Sequence, residues 1–210
     1  MFCLKILVFH IKDRHDFMGN AVKKNKKLLK KTSRKIENNP EIVFLAQDEC
    51  SLLSIPTKHQ MWAKKGRQPK VITFTSKRER KSIIAATNLR TGAQTSLFFD
   101  TGDSRTFIEF LKVVLQEYPQ ENICMILDNV RFHHSKLVQE FLEKKSRLEF
   151  MFLPPYSPDL NPQEWIFKWF RKEVTHNHNF TSFNSLLSAS YDFFTPLQKP
   201  NLLSLITVNF

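Results

Sequence analysis

Three carboxylates in this 210-residue chain stand where rigid elements are expected to end. Asp48 follows the apolar run Ile42-Val43-Phe44-Leu45-Ala46, and Asp128 follows Ile123-Cys124-Met125-Ile126-Leu127. Uninterrupted apolar runs of this length read as strands buried on both faces of a sheet. An acid at the C-terminal end of such a strand stands at the sheet rim, where open α/β sheets place their ligands. Glu164 arrives by another route. The segment Leu153-Pro154-Pro155-Tyr156-Ser157-Pro158-Asp159-Leu160-Asn161-Pro162-Gln163-Glu164-Trp165 has four prolines between positions 154 and 162. They force an extended, stiff path that can enter neither a helix nor a central strand. The strap closes on a helix start, with Asn161 at the N-cap, Pro162 at the first helical position and Glu164 at the third.

If the strands of Asp48 and Asp128 are neighbours, their ends lie about 5 Å apart, and the two carboxylates repel each other unless a cation bridges them. Mg²⁺ takes oxygen ligands, often one or two carboxylates plus substrate phosphates. Two such ions ~4 Å apart can activate a water or hydroxyl and stabilise the leaving oxygen of an in-line displacement. A third acid would complete the shell of the second ion. The residue types therefore point to metal-dependent phosphoryl transfer. Each acid also has a plainer reading: Asp48 and Asp128 as turn formers, and Glu164 as partner of Asn161 in a capping box.

The elements that must position these acids alternate along the chain. The first strand is expected to end at Gln47-Asp48-Glu49. Residues 60–63 and 70–74 flank Lys64-Lys65-Gly66 as one hairpin; Lys81 to Asn88 and Ala93 to Phe99 flank Arg90-Thr91-Gly92 as another. Asp103 or Ser104 caps a helix with Phe107, Phe110, Leu111, Val114 and Leu115 at helical spacing. A strand ending at Asp128, a helix from Ser135 to Lys144, a strand from Leu148 to Leu153 and a helix from Pro162 to about Val174 follow. Antiparallel strands first and βαβ crossovers afterwards imply a mixed sheet with helices on both faces. The tail from Ser182 to Phe210 is apolar and should include a packing helix with Phe183, Leu186, Leu187, Tyr191 and Phe194.

Charge is unevenly placed. The chain carries a net +12, and residues 1–40 hold 11 Lys/Arg against 3 Asp/Glu. A basic arm on a nearly neutral body suggests an anionic polymer as partner, a solvated lysine-rich tail being the bland alternative. Lys23, Lys24, Lys26 and Lys27 are the densest part of that arm, and Lys168, Arg171 and Lys172 share a helix face beyond Glu164. These seven are the candidate nucleic-acid contacts. Three cysteines without CxxC spacing argue against a disulfide framework and fit a reducing cytosol. No signal peptide is expected, and no apolar run reaches the ~18 residues that cross a bilayer. His133 and His134 lie near the same rim; they could approach the phosphate or cap the helix that follows, and the structural reading comes first. Trp165 and Trp169, one helical turn apart, should pack on the sheet.

Asp48-Glu49, Asp128-Asn129 with His133-His134 downstream, and the strap from Leu153 to Trp165 resemble the catalytic core of DDE transposases, in particular the bacterial insertion-sequence branch of the mariner superfamily. The 35 residues between Asp128 and Glu164 fit that branch. So do Trp62 to Gly66 and the stretch from Trp165 to His178. The resemblance covers about residues 42–194. It implies an α/β, ribonuclease-H-like fold: a mixed five-stranded sheet flanked by helices on both faces. It further implies that Asp48, Asp128 and Glu164 are catalytic and hold two Mg²⁺ or Mn²⁺ ions, and that transposon-end DNA is cleaved and joined to a target. A homodimer on DNA, in a bacterial cytoplasm at the nucleoid and with no membrane partner, goes with it.

The sequence departs from the family at two places. Gln163 stands where a branched aliphatic is expected. Members normally begin with a helix-turn-helix region, and the 40 or so residues before the first strand hold no such pattern. Residues 1–40 are therefore expected to be a basic arm, a remnant of a DNA-binding region, and residues 41–210 the catalytic domain of a split or truncated transposase. Two alternatives stay open: a catalytically inactive DNA-binding remnant, and a ribonuclease acting on RNA–DNA hybrids, which would share the fold and metals but not the strap.

Overall fold

A computed structural model describes residues 38–55, 63–66, 70, 78–154, 161–176, 178 and 180–195. In chain order these form β1 (Ile42–Leu53), β2 (Arg80–Asn88), β3 (Gln94–Phe99), α1 (Ser104–Glu117), β4 (Asn122–Leu127), a 3₁₀ turn (Arg131–His134), α2 (Lys136–Glu143), β5 (Leu148–Phe152), α3 (Pro162–Phe170), a single π turn (Arg171–Thr175) and α4 (Phe183–Phe194). Residues 1–37 of the basic arm, most of the first expected hairpin and residues 155–160 of the proline strap lie outside the described residues. Gly66, expected at the turn of that hairpin, takes φ +82°, a conformation that favours glycine.

The five strands form one sheet in the order β3-β2-β1-β4-β5. β2 runs antiparallel to both β1 and β3, while β4 runs parallel to both β1 and β5. The β2–β3 hairpin turns on Gly92 at φ +75°. The Asn88 side-chain oxygen accepts from the backbone N–H groups of Arg90 and Thr91, which closes that turn.

β1 is longer than expected. It continues through Gln47, Asp48 and Glu49 to Leu53, because β2 keeps supplying an antiparallel partner as far as the Leu53–Arg80 pair. The pairing with β4 stops at Ala46–Ile126. Asp48 therefore sits inside a strand, just past the point where its parallel neighbour turns away. Continuous apolar sequence marks where a strand is buried on both faces, not where it ends.

Side-chain alternation divides the core. Leu45, Ile84 and Met125 point to the face covered by Phe107, Phe110 and Leu111 of α1, with Val138 of α2. Cys50, Leu52, Ile83 and Ala85 point to the other face, against Ile166, Phe167 and Phe170 of α3 and Phe194 of α4. Helices thus cover both faces, as the element order implied. Each phenylalanine fully buried in this way contributes ~1.5–3 kcal/mol. Asp103 caps α1 in a reciprocal box with Thr106. Ser135 caps α2 by accepting from the Val138 N–H. The α-helix after the strap stops at Phe170, but the chain winds on in a wider π turn that still buries Val174.

Candidate active site

β1 carries two acids side by side, and the pleat sends them to opposite faces. Asp48 shares the parity of Cys50 and Leu52 and looks toward the α3 side; Glu49 looks toward the α1 side. The Asp48 Oδ1 accepts from the Glu49 N–H at 2.8 Å. Burial, followed by the negative charges of Glu49, Asp128 and Glu164, pushes the Asp48 carboxyl from its ordinary 3.8 up to about 7, against the pull of that hydrogen bond. A turn-forming aspartate at a rim has no reason to be held so. The site carries more negative charge than its hydrogen bonds can offset.

Asp128 follows β4 directly and is half-exposed, with its Oδ1 accepting from the Val130 N–H at 3.3 Å. Burial and the charge of Glu49 raise its carboxyl, while His133 and the Val130 N–H oppose the shift. Glu164 stands in the first turn of α3. One oxygen, Oε1, lies 3.6 Å from Lys168 Nζ. The other, Oε2, is buried with no hydrogen-bond partner among the described residues. Glu164 is thus not tied up in a capping box. A buried carboxylate oxygen without a partner, on a residue whose charge helps raise the Asp48 carboxyl, fits a hard, oxygen-seeking cation such as Mg²⁺.

The start of α3 is pinned to the sheet by buried amides. Asn161 accepts from the Gln163 N–H at 3.1 Å, capping the helix, and its Nδ2 donates to the Gln47 carbonyl at 2.8 Å. Gln163, fully buried, accepts from the Thr87 hydroxyl at 2.6 Å. The one departure from the aliphatic pattern is therefore a polar strut to β2, and its Nε2 has no partner among the described residues.

Glu49 and His133, both part of the resemblance, were not among the residues expected to form the metal site. The Glu49 Oε1 accepts from Gln47 Nε2 at 2.6 Å and lies 3.2 Å from His133 Nε2. His133 Nδ1 lies 3.2 Å from the Asp128 carbonyl oxygen and 3.5 Å from Asp128 Oδ1. Capping of α2, the role expected of the two histidines, falls instead to Ser135. His134 stacks on Phe152 and bonds to Asn129. The adjacency of Asp48 and Glu49 was the available signal, but only the fold shows that Glu49 faces a histidine from beyond β4.

Glu49, Asp128 and His133 bring ligand-type atoms within 4.8 Å of one another. Glu49 Oε1 approaches Nε2 and Asp128 Oδ1 approaches Nδ1, so the group is close enough to hold an ion as well as to hydrogen-bond. With no ion bound, its contacts form a hydrogen-bonded clamp around the imidazole. Asp48 and Glu164 stand outside that cluster; with Asp128 they offer oxygen donors only, the kind a hard cation prefers.

Of the candidate nucleic-acid contacts, Lys168 lies near Glu164 and 4.3 Å above the Trp165 ring. Arg171 reaches back to the Cys50 sulfur at 3.4 Å, and Lys172 is exposed. Lys23, Lys24, Lys26 and Lys27 lie outside the described residues. Trp169 packs edge-on against Phe193 of α4. Cys50 and Cys124 are buried. No helix among the described residues is long and apolar enough to cross a membrane.

Residues 42–187 match the family model described as DDE superfamily endonuclease. The chain is 27% identical over 142 residues to the insertion element IS630 uncharacterized 39 kDa protein of Shigella sonnei, an alignment covering 67% of this chain and 41% of that protein. Among solved structures it is similar to the Mos1 transposase paired-end complex with left transposon end, with a TM-score of 0.61 at 13% identity, covering 98% of this chain and 60% of that one. The mariner Mos1 paired end complex with Mg gives a TM-score of 0.58 at 15% identity, covering 99% and 61%. The chain thus spans less than half the length of its curated relative. The structural likeness shows the fold, a ribonuclease-H-like mixed sheet. On the family match over residues 42–187, the chain belongs to the DDE superfamily endonucleases.

Proposed function

We propose that this chain is the catalytic domain of a transposase, which cleaves transposon-end DNA and joins it to a target with the help of Mg²⁺ or Mn²⁺. Residues 41–210 would form that domain and residues 1–40 a basic arm. What supports the reading is the charge around Asp48: Asp128 and Glu164 both help raise its carboxyl, which is pushed up to about 7, and Glu164 Oε2 has no hydrogen-bond partner among the described residues. Asp48 and Asp128, on neighbouring strands, would share one ion, and Glu164 would help Asp48 hold a second. When bound, the two ions supply Lewis acidity at the attacking and leaving oxygens.

The chain's own contribution is placement. The sheet fixes the two aspartates, Asn161 fixes the turn bearing Glu164, and the apolar layer beneath α3 keeps the carboxylates partly out of water. Water would attack the phosphodiester first, releasing a 3′-hydroxyl; that hydroxyl would then attack a target phosphodiester. Lys172 and Arg171, with the arm lysines 23, 24, 26 and 27, would grip phosphates without reading sequence. Lys168 would divide its charge between Glu164 and DNA. A homodimer on paired ends, at the bacterial nucleoid, completes the proposal.

The test combines Mn²⁺ binding with nicking of supercoiled plasmid. Wild-type chain should bind Mn²⁺ and nick; Asp48→Ala, Asp128→Ala and Glu164→Ala should each bind more weakly and lose nicking. Mn²⁺ binding without nicking in the wild type would favour the inactive remnant. Unaltered nicking in any one of the variants would refute the assignment of that acid.

A further inference from the structure

We infer that His133 is a positioning residue for Asp128, and that Glu49 is the anchor from which it acts. This rests on the proposed role of Asp128 as a metal ligand. The imidazole is completely buried, between Phe107 at 4.5 Å and Phe132 at 4.4 Å from its centre. Nδ1 meets Asp128 at two places, the backbone oxygen at 3.2 Å and Oδ1 at 3.5 Å. The ring therefore holds both the peptide and the carboxylate of that acid. Nε2 faces Glu49 Oε1 at 3.2 Å, and the same oxygen takes the Gln47 amide at 2.6 Å.

The contacts continue past Glu49. The Gln47 carbonyl accepts from Asn161, which opens the helix of Glu164. Asn161, Gln47, Glu49, His133 and Asp128 thus form one line of polar contacts linking α3, β1 and the end of β4, the three elements that carry the candidate ligands. Asp48 lies between two members of that line, Gln47 and Glu49, and points to the opposite face of the strand. A buried histidine with a purely structural task needs partners only for its own nitrogens. Here both nitrogens contact acids at the sheet rim, and the cap of α2, the nearest structural task, belongs to Ser135. Outer-shell partners of this kind typically change metal affinity or activity 10–100-fold when removed.

The experiment measures Mn²⁺ affinity by electron paramagnetic resonance, and thermal unfolding in EDTA, for the full chain and four variants. His133→Phe keeps the ring volume without nitrogens. His133→Asn places an amide donor where Nδ1 stands. Glu49→Ala removes the anchor, and Glu49→Gln keeps an acceptor without the charge. Wild type must bind Mn²⁺; if it does not, the proposed metal-dependent function fails, and this inference with it. Given wild-type binding, His133→Phe should weaken it about tenfold or more, His133→Asn should restore it to within about threefold of wild type, and Glu49→Gln should outperform Glu49→Ala. If His133→Phe does not fold, the Asn variant and the Glu49 pair decide. His133→Phe (where it folds) and Glu49→Ala both binding within about twofold of wild type would overturn the inference while leaving the metal site standing. Failure of His133→Asn to bind when folded would do the same for the role assigned to Nδ1.

Discussion

Asn161 Nδ2 donates to the Gln47 carbonyl across 2.8 Å, joining the first turn of the helix that bears Glu164 to the residue just before Asp48. One buried amide thus does two things, since its oxygen also caps the helix. Asn161→Ser separates them. Serine can still cap the Gln163 N–H, but it is too short to reach Gln47. A buried carbonyl is left unpaired, and stability should fall by ~1–3 kcal/mol. Urea unfolding measures this; a variant as stable as wild type would mean the tie contributes nothing.

Asp48 sets a pH dependence of known sign. Its folded carboxyl is held at about 7, above its ordinary 3.8, so the group favours the fold fully only below 3.8 and that contribution is lost as pH rises through about 7. In EDTA the chain should therefore melt at a lower temperature at pH 8 than at pH 5.5. Asp48→Asn should flatten the difference, and saturating Mg²⁺ should shrink it in the wild type. Melting curves with the same pH difference in Asp48→Asn would show that the dependence comes from elsewhere.

The Thr87–Gln163 strut yields a double-mutant cycle. Gln163→Leu alone strands a buried hydroxyl and Thr87→Val alone strands a buried amide oxygen, each costing ~1–3 kcal/mol. Replacing both should cost much less than the sum, because no buried polar group is then orphaned, and the unpartnered Gln163 Nε2 also disappears. Strict additivity in denaturant titrations would mean that the two side chains do not interact.

For DNA, Lys172 and Lys168 should differ. Lys172 is exposed and forms no ion pair among the described residues, whereas Lys168 lies 3.6 Å from Glu164. Lys172→Ala should weaken binding to any duplex and lower the salt slope by about one. Lys168→Ala should change the slope less in the absence of metal, because Glu164 offsets its charge. Fluorescence anisotropy across a range of KCl concentrations reads both; a larger effect at Lys168 would reverse the assignment.

The order of the described elements, and the places of the three candidate acids along it, were legible in the sequence, because the signals that announce them are local. Apolar runs mark Ile42 to Ala46 and Ile123 to Leu127; proline stereochemistry and an Asn-Pro start mark the helix of Glu164; Gly92 marks the hairpin turn. What lay beyond the sequence depended on partners distant in the chain. β1 runs past Asp48 because β2, thirty-odd residues on, still pairs with it. Glu49 and His133 are 84 residues apart, Thr87 and Gln163 76, and Gln47 and Asn161 114. No periodicity or propensity encodes a hydrogen bond across such separations. The sheet order and the docking of α3 brought these groups together, and so decided that a histidine expected to cap a helix holds Asp128 and that a glutamine expected to be aliphatic braces the strand beside Asp48.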